Sequence, residues 1–141
     1  MFRRPALFLV SCLGITLAAC THKLTLVLWN NSNETVVALV HGESLSIPQG
    51  QRLEFDYPSP EQNWTLRLLV GPCEALYVAP RSLQHYIHFP EYVGSVKAQL
   101  EADLSIHLAP KDASQLTPPA TMVPLQVDGF PLQPIQKHCG G

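Results

Sequence analysis

The sequence predicts an all-β fold, a small antiparallel β-sandwich, on three observations. Apolar and polar residues alternate with a period of two in several short runs, as in residues 52–57. Residues typical of turns separate these runs at intervals of about 8 to 12 residues. No strongly amphipathic helix lies between the runs, which disfavours a parallel α/β sheet.

The predicted strands follow one another over one domain, residues 24–109. They are residues 24–29, 35–41, 44–47, 53–57, 64–70, 74–79, 85–89, 92–100 and 104–108. Asparagine tolerates the left-handed backbone region, so the turn at 30–33 predicts that the first two strands form a hairpin. A short helix at 95–103 is an alternative to the last hairpin, which we favour because residues 104–108 alternate cleanly. Such a strand pattern is typical of an Ig-like or transthyretin-like sandwich.

The last segment, residues 110–141, differs in composition because six prolines fall in it. Proline cannot donate to a strand ladder and favours extended conformations. Residues 122–127 could form an edge strand, and the apolar side chains of Phe130, Leu132 and Ile135 favour a tail docked on the domain over a disordered one.

The first nineteen residues have the composition of a secretory signal peptide. Two arginines precede an uncharged apolar run, and Leu17-Ala18-Ala19-Cys20 closes it. This ending resembles the lipobox of bacterial lipoproteins, and an ordinary secretory signal is the alternative. The resemblance implies cleavage before Cys20, acylation of that residue with palmitate-type chains, and, with Thr21 following, an outer-membrane location. Residues 20–23 would then be a lipidated N-terminus with a very short tether, and the domain would face the periplasm.

Charge and cysteine content narrow the range of partners. Removal of residues 1–19 leaves 7 Lys and Arg against 11 Asp and Glu, which argues against binding to nucleic acid. An exported chain meets oxidising conditions, so Cys73 and Cys139 are expected to form a disulfide. Two cysteines without CxxC spacing make a poor zinc site, and no metal or cofactor is expected.

No catalytic motif is evident. Of the six histidines, His85 and His88 are three residues apart, which puts them on opposite faces of a predicted strand, and His41, His107 and His138 are scattered. Surface imidazoles are the simplest interpretation of them. Glu54 and Asp56 share one face of a predicted strand, where a solvated surface is more common than an acid–base pair. Trp29 alternates with Leu28, so one of the two faces outward unless both faces of the sheet are covered.

These observations predict an outer-membrane lipoprotein that acts as a non-enzymatic binding or scaffolding component of an envelope protein assembly. The alternative is an inhibitor or small-ligand-binding lipoprotein of the envelope. An enzyme acting on cell-wall polymer through Glu54, Asp56 or Glu91 ranks third.

Overall fold

The structure is a computed structural model, and it describes residues 23–57, 65–80, 83, 87–88, 93–109, 126 and 129–140. Within these ranges the chain forms ten β-strands. They are β1 Lys23–Asn30, β2 Val36–Val40, β3 Glu43–Ile47, β4 Arg52–Tyr57, β5 Thr65–Val70, β6 Cys73–Val78, β7 Ile87–His88, β8 Val93–Leu100, β9 Ile106–Leu108 and β10 Gln136–Cys139.

The strands form two five-stranded sheets, which confirms the predicted β-sandwich. Sheet 1 has the order β4-β1-β8, with β7 and β9 both pairing with the far side of β8. Sheet 2 has the order β10-β6-β5-β2-β3. All pairings are antiparallel except that of β1 with β8, which is parallel over the whole length of both strands.

The core lies between the inner faces of the two sheets. Every second residue of β1, β2, β5 and β8 points inward, as the two-residue period predicts. The largest fully buried apolar side chains of this core are Tyr77, Leu24, Leu28, Ile47, Leu68, Leu83, Leu100, Ile106, Val36 and Val96. Burial of each aliphatic side chain of this kind contributes about 1.5 to 3 kcal/mol to the hydrophobic driving force.

The predicted hairpin of the first two strands is wrong, because β1 and β2 lie in different sheets. Residues 31–35 lead the chain from sheet 1 to sheet 2. The side chain of Asn30 stabilises this crossing: its amide donates to the carbonyl oxygens of Glu34 and Ile47, both at 2.8 Å. Its own Oδ1 accepts from the backbone N–H and the hydroxyl of Ser32. The asparagine-rich segment is a turn, but it connects two layers rather than two neighbouring strands.

Residues 95–103 do not form the alternative helix. The chain is a strand through Leu100, then turns at residues 101–105 and returns as β9. Leu104 adopts a positive φ of 71° in this turn, and its carbonyl accepts a hydrogen bond of 2.7 Å from the Tyr77 hydroxyl of sheet 2. Burial, followed by the negative charge of Asp103, raises the pKa of Tyr77. This hydrogen bond ties the turn of one sheet to the core of the other.

The C-terminal segment joins the edges of both sheets. Leu132 forms a two-hydrogen-bond bridge with Ile106 of β9, and the side-chain amide of Gln126 bonds the backbone N–H and carbonyl of Leu108. The chain then forms β10, which the sequence did not predict, on the outer side of β6. The edge strand predicted at residues 122–127 lies, apart from Gln126, outside the described residues.

The predicted disulfide between Cys73 and Cys139 is confirmed. The two cysteines are directly opposite each other in the β6–β10 ladder, with their Cα atoms 4.0 Å apart. The bond therefore holds the last strand of the chain in register on sheet 2.

Candidate binding surface

Several residues singled out in the sequence lie outside the described part of the chain: the signal peptide with its lipobox and Cys20, and also Glu91 and His85. Of the remaining histidines, His41 occupies an exposed hairpin turn and His138 is exposed on β10. Among the described residues, no three His, Cys, Asp or Glu side chains lie together as a metal site would require.

Glu54 and Asp56 lie on the outer face of sheet 1, side by side on β4 and both exposed. Arg52 forms an ion pair of 2.9 Å with Glu54, and the Thr25 hydroxyl donates to Asp56 at 3.1 Å. This arrangement has the form of a solvated polar surface. Exposed ion pairs of this type contribute at most about 1 kcal/mol to stability.

Asp103, Ser105 and His107 come together at the turn between β8 and β9. The Ser105 hydroxyl donates to Asp103 Oδ1 at 2.6 Å and lies 2.9 Å from His107 Nε2. Because the single hydroxyl proton is given to the carboxylate, the imidazole must donate to the serine oxygen and cannot take its proton. In a serine hydrolase the imidazole lies between serine and carboxylate. Here the serine lies between the other two residues and is 1% exposed. The hydrogen bonds among the three residues therefore stabilise the turn.

The hydrogen bonds from Ser105 lower the pKa of Asp103 below its ordinary value, with a smaller contribution from His107. A carboxyl group whose pKa is lower in the folded state stabilises the fold above its unfolded pKa and loses that contribution as pH falls through the folded pKa. Asp103→Asn should therefore cost up to about 1 kcal/mol at neutral pH, allowing for solvent screening, and almost nothing at pH 2. Urea unfolding of both proteins from pH 7 to pH 2 tests this. A difference that stays constant with pH would contradict the assignment.

Trp29 is buried although it lies on the outer face of sheet 1, since its side chain is 1% exposed and that of Leu28 is fully buried. Both faces of β1 are thus covered at this point. The guanidinium of Arg52 lies 5.9 Å from the centre of the indole ring, within cation–π distance. Next to it in the sheet, Gln99 is fully buried and donates to Glu101, which also accepts from Asn31. Trp29 is therefore not a surface contact for a membrane or partner.

The outer face of sheet 2 differs in that partly exposed apolar side chains lie together on β2, β5 and β6, among polar residues such as Ser44, Thr65 and Glu74. β2, β5 and β6 direct toward solvent a group that we call the apolar face, each member of which is partly exposed. It comprises Val37, Leu39, Leu69, Leu76 and Val78. The strand register places Val37 beside Leu69, and Leu39 and Leu76 on either side of Arg67. Arg67 is bound to Glu74 by an ion pair of 3.2 Å.

Ile135, immediately before β10, is a further exposed apolar residue next to β6. Its backbone N–H donates to the carbonyl of Leu76, and its side chain is 60% exposed, the most exposed large apolar residue in the described part of the chain. Contiguous apolar area on the surface of a soluble domain is typical of contact sites for other molecules. The apolar face is therefore the candidate binding surface of this domain.

A signal for the apolar face is present in the sequence. Residues 36–40 are apolar without a break, and residues 68–70 continue the pattern, whereas a strand with one solvated face should alternate. By their length and position alone, these runs predict strands. An uninterrupted run indicates that both faces of the strand are apolar, and in sheet 2 the second of those faces is the outer one.

The interior between the described strands contains a small cavity. An apolar cavity of about 20 Å³ lies between the sheets, beneath Phe130 and Leu132. This volume is far below that of a ligand pocket, so the cavity is a small packing gap.

In the described residues no helix is long and apolar enough to cross a membrane. No protein-family model matches the chain, no curated protein is significantly similar to it in sequence, and no solved structure is significantly similar to it in fold.

Proposed function

We propose that this protein is an outer-membrane lipoprotein whose β-sandwich binds another protein of the cell envelope, as a non-enzymatic binding or scaffolding component. The observation that carries the binding role is the apolar face of sheet 2. On the opposite outer face, that of sheet 1, the apolar residues Val27 and Trp29 are buried, and the residues that reach solvent are Thr25, Arg52, Glu54, Asp56, Ser95 and Lys97. The asymmetry between the two faces supports one specific contact surface, because contiguous apolar patches on a soluble domain are typical of interaction sites.

The lipobox supplies the proposed location. Acylation at Cys20 with more than one chain would give stable membrane anchoring. Because β1 begins at Lys23, only Thr21 and His22 would separate the acylated residue from the folded domain. Such a short tether keeps the domain next to the bilayer, so its partner would be a membrane-associated protein or the membrane-proximal part of an assembly.

The Asp103–Ser105–His107 geometry supports a non-enzymatic role. These residues are the serine, histidine and carboxylate that the described fold brings closest to a hydrolase arrangement, and their hydrogen bonds run in the wrong order for proton transfer from serine to histidine. Glu54 forms an ion pair with Arg52, and Asp56 accepts a hydrogen bond from Thr25, both on an exposed surface rather than in a cleft.

The test uses the full chain with a C-terminal tag in its native envelope. We expect the wild type in the outer-membrane fraction and Cys20→Ser in the soluble periplasmic fraction. In-cell crosslinking and tag capture should then give one defined partner complex. Leu69→Glu, which places a charge in the apolar face, should reduce capture at least about tenfold, whereas Ser95→Glu on the outer face of sheet 1 should leave it unchanged.

Each part of this experiment has a result that would contradict the proposal. Recovery of wild type and Cys20→Ser in the same soluble fraction would overturn the lipid anchor. Equal capture by Leu69→Glu and Ser95→Glu, with both variants folded, would overturn the apolar face as the contact surface.

A further inference from the structure

The edges of the two sheets differ in how they are protected against pairing with another strand. Exposed strand edges are templates for added strands, and proteins commonly block them with charges, short length or a covering segment. At one edge of sheet 1, β4 alternates the charged residues Arg52, Glu54 and Asp56. At the other edge, β7 has only two residues, and β9 is covered by the bridge to Leu132. In sheet 2, β10 has four residues and carries Lys137.

β3, at the opposite edge of sheet 2, is less protected: its single charged residue, Glu43, is at the end of the strand, and no described segment pairs with its outer side. Its sequence is Glu-Ser-Leu-Ser-Ile, with no lysine, arginine or proline, and its register with β2 is continuous without a bulge. Ser44 and Ser46 are exposed, and Leu45 is partly exposed. Within the described ranges, no strand pairs with the outer side of β3.

The hairpin turn determines which backbone groups of β3 point outward. His41 and Gly42 form a two-residue turn with positive φ angles of 52° and 82°, which closes the hairpin on a hydrogen-bonded Val40–Glu43 pair. Hydrogen-bonded and non-hydrogen-bonded pairs alternate along an antiparallel ladder. Ser44 and Ser46 therefore direct their backbone N–H and C=O groups away from β2.

We propose that two copies of this chain pair through β3, antiparallel, around a two-fold axis at Leu45. Ser44 then forms a hydrogen-bonded pair with the partner's Ser46, and the reverse pair forms by symmetry. Leu45 faces the partner's Leu45, and the two sheets 2 become one continuous ten-stranded sheet. The apolar faces of both copies join into one surface.

The strand itself favours a second copy as the occupant. A two-fold interface requires a surface that is complementary to itself. The segment Ser44-Leu45-Ser46 reads the same in both directions, so it meets this condition in the register centred on Leu45. This register sets serine against serine, so that hydroxyl meets hydroxyl, and leucine against leucine, which buries apolar surface. It also sets Glu43 against the partner's Ile47, so that the carboxylates lie four residues apart along the strand, roughly 14 Å. The pairing does not depend on the proposed lipid anchor, which would only concentrate the copies in one plane.

Cysteine trapping in the envelope tests this register directly. In the proposed dimer, position 45 forms a non-hydrogen-bonded pair with itself, the type of close pair that the native Cys73–Cys139 disulfide occupies. Full-length Leu45→Cys, mildly oxidised in envelope fractions, should give a species of twice the chain mass on a non-reducing gel. Ser44→Cys is the matched control, because Ser44 faces the partner's Ser46, and wild type controls for Cys20.

A second variant keeps the test valid if Leu45→Cys alters packing. Ser46→Pro removes one outward N–H from each copy, hence two donors per dimer, and should lower trapping in the Leu45→Cys background about tenfold or more. Lys137→Pro on β10 is the control at the other edge of sheet 2 and should leave trapping unchanged. Thermal unfolding establishes that each variant is folded.

The inference is overturned if folded Leu45→Cys gives no double-mass species, if Ser44→Cys traps equally well, or if the adduct has the mass of a different protein. Capture of an envelope partner together with failure of trapping would leave the proposed function standing and remove this inference alone.

Discussion

Replacement of Cys73 by serine is expected to lower the free energy of unfolding by about 4 kcal/mol. The cysteines are 66 positions apart in the sequence, so the bond restricts a long loop in the unfolded chain. The native state also depends on it locally, because all four residues of β10 are exposed and contribute little burial of their own. Loss of the bond should therefore both destabilise the domain and free its last strand.

Urea unfolding in oxidising buffer, compared between wild type and Cys73→Ser, measures this effect. Lys137→Ser is the matched control, since it alters the same exposed strand without touching the disulfide and should change stability by less than about 0.5 kcal/mol. Reductant should bring the wild type to the unfolding midpoint of Cys73→Ser. An unchanged midpoint in the variant would contradict the stabilising role of the bond.

The strands and the disulfide could be predicted because local information determines them. The period of two marks the half-buried strands β4 and β5, and alternation of Leu104, Ile106 and Leu108 correctly favoured a hairpin over a helix. The pairing of Cys73 with Cys139 followed from the interpretation of the chain as exported, which leaves two cysteines in the mature domain.

Partner choice between strands could not be predicted, because it depends on contacts between distant residues. β1 pairs with β4 and β8, the second of which lies about 70 residues later, and no local signal carries that information. β10 was missed because Gln136–Cys139 has no apolar alternation; its backbone ladder and disulfide, rather than burial, hold it in place. The open edge at β3 is likewise visible only once the order of strands in sheet 2 is known.

Asn30→Ala is expected to destabilise the domain by about 2 to 4 kcal/mol, the larger part of which is the cost of unpaired polar groups. Asn30 is fully buried where the chain passes from sheet 1 to sheet 2, and its side chain takes part in four hydrogen bonds. Alanine would leave the carbonyl of Ile47 without this donor and the backbone N–H of Ser32 without its acceptor, at a site with little access to water. The Ser32 hydroxyl and the Glu34 carbonyl would keep their hydrogen bond to each other.

The neighbouring Asn31→Ala is the matched control, because it is the same chemical change one residue further along. Asn31 is partly exposed and its amide makes one hydrogen bond, of 2.7 Å, to Glu101. We therefore expect a loss of about 1 kcal/mol or less from this substitution in urea unfolding. If burial and the number of lost partners determine the cost, the two asparagines must differ by at least about 1 kcal/mol; equal losses would show that Asn30 is not what stabilises the crossing between the sheets.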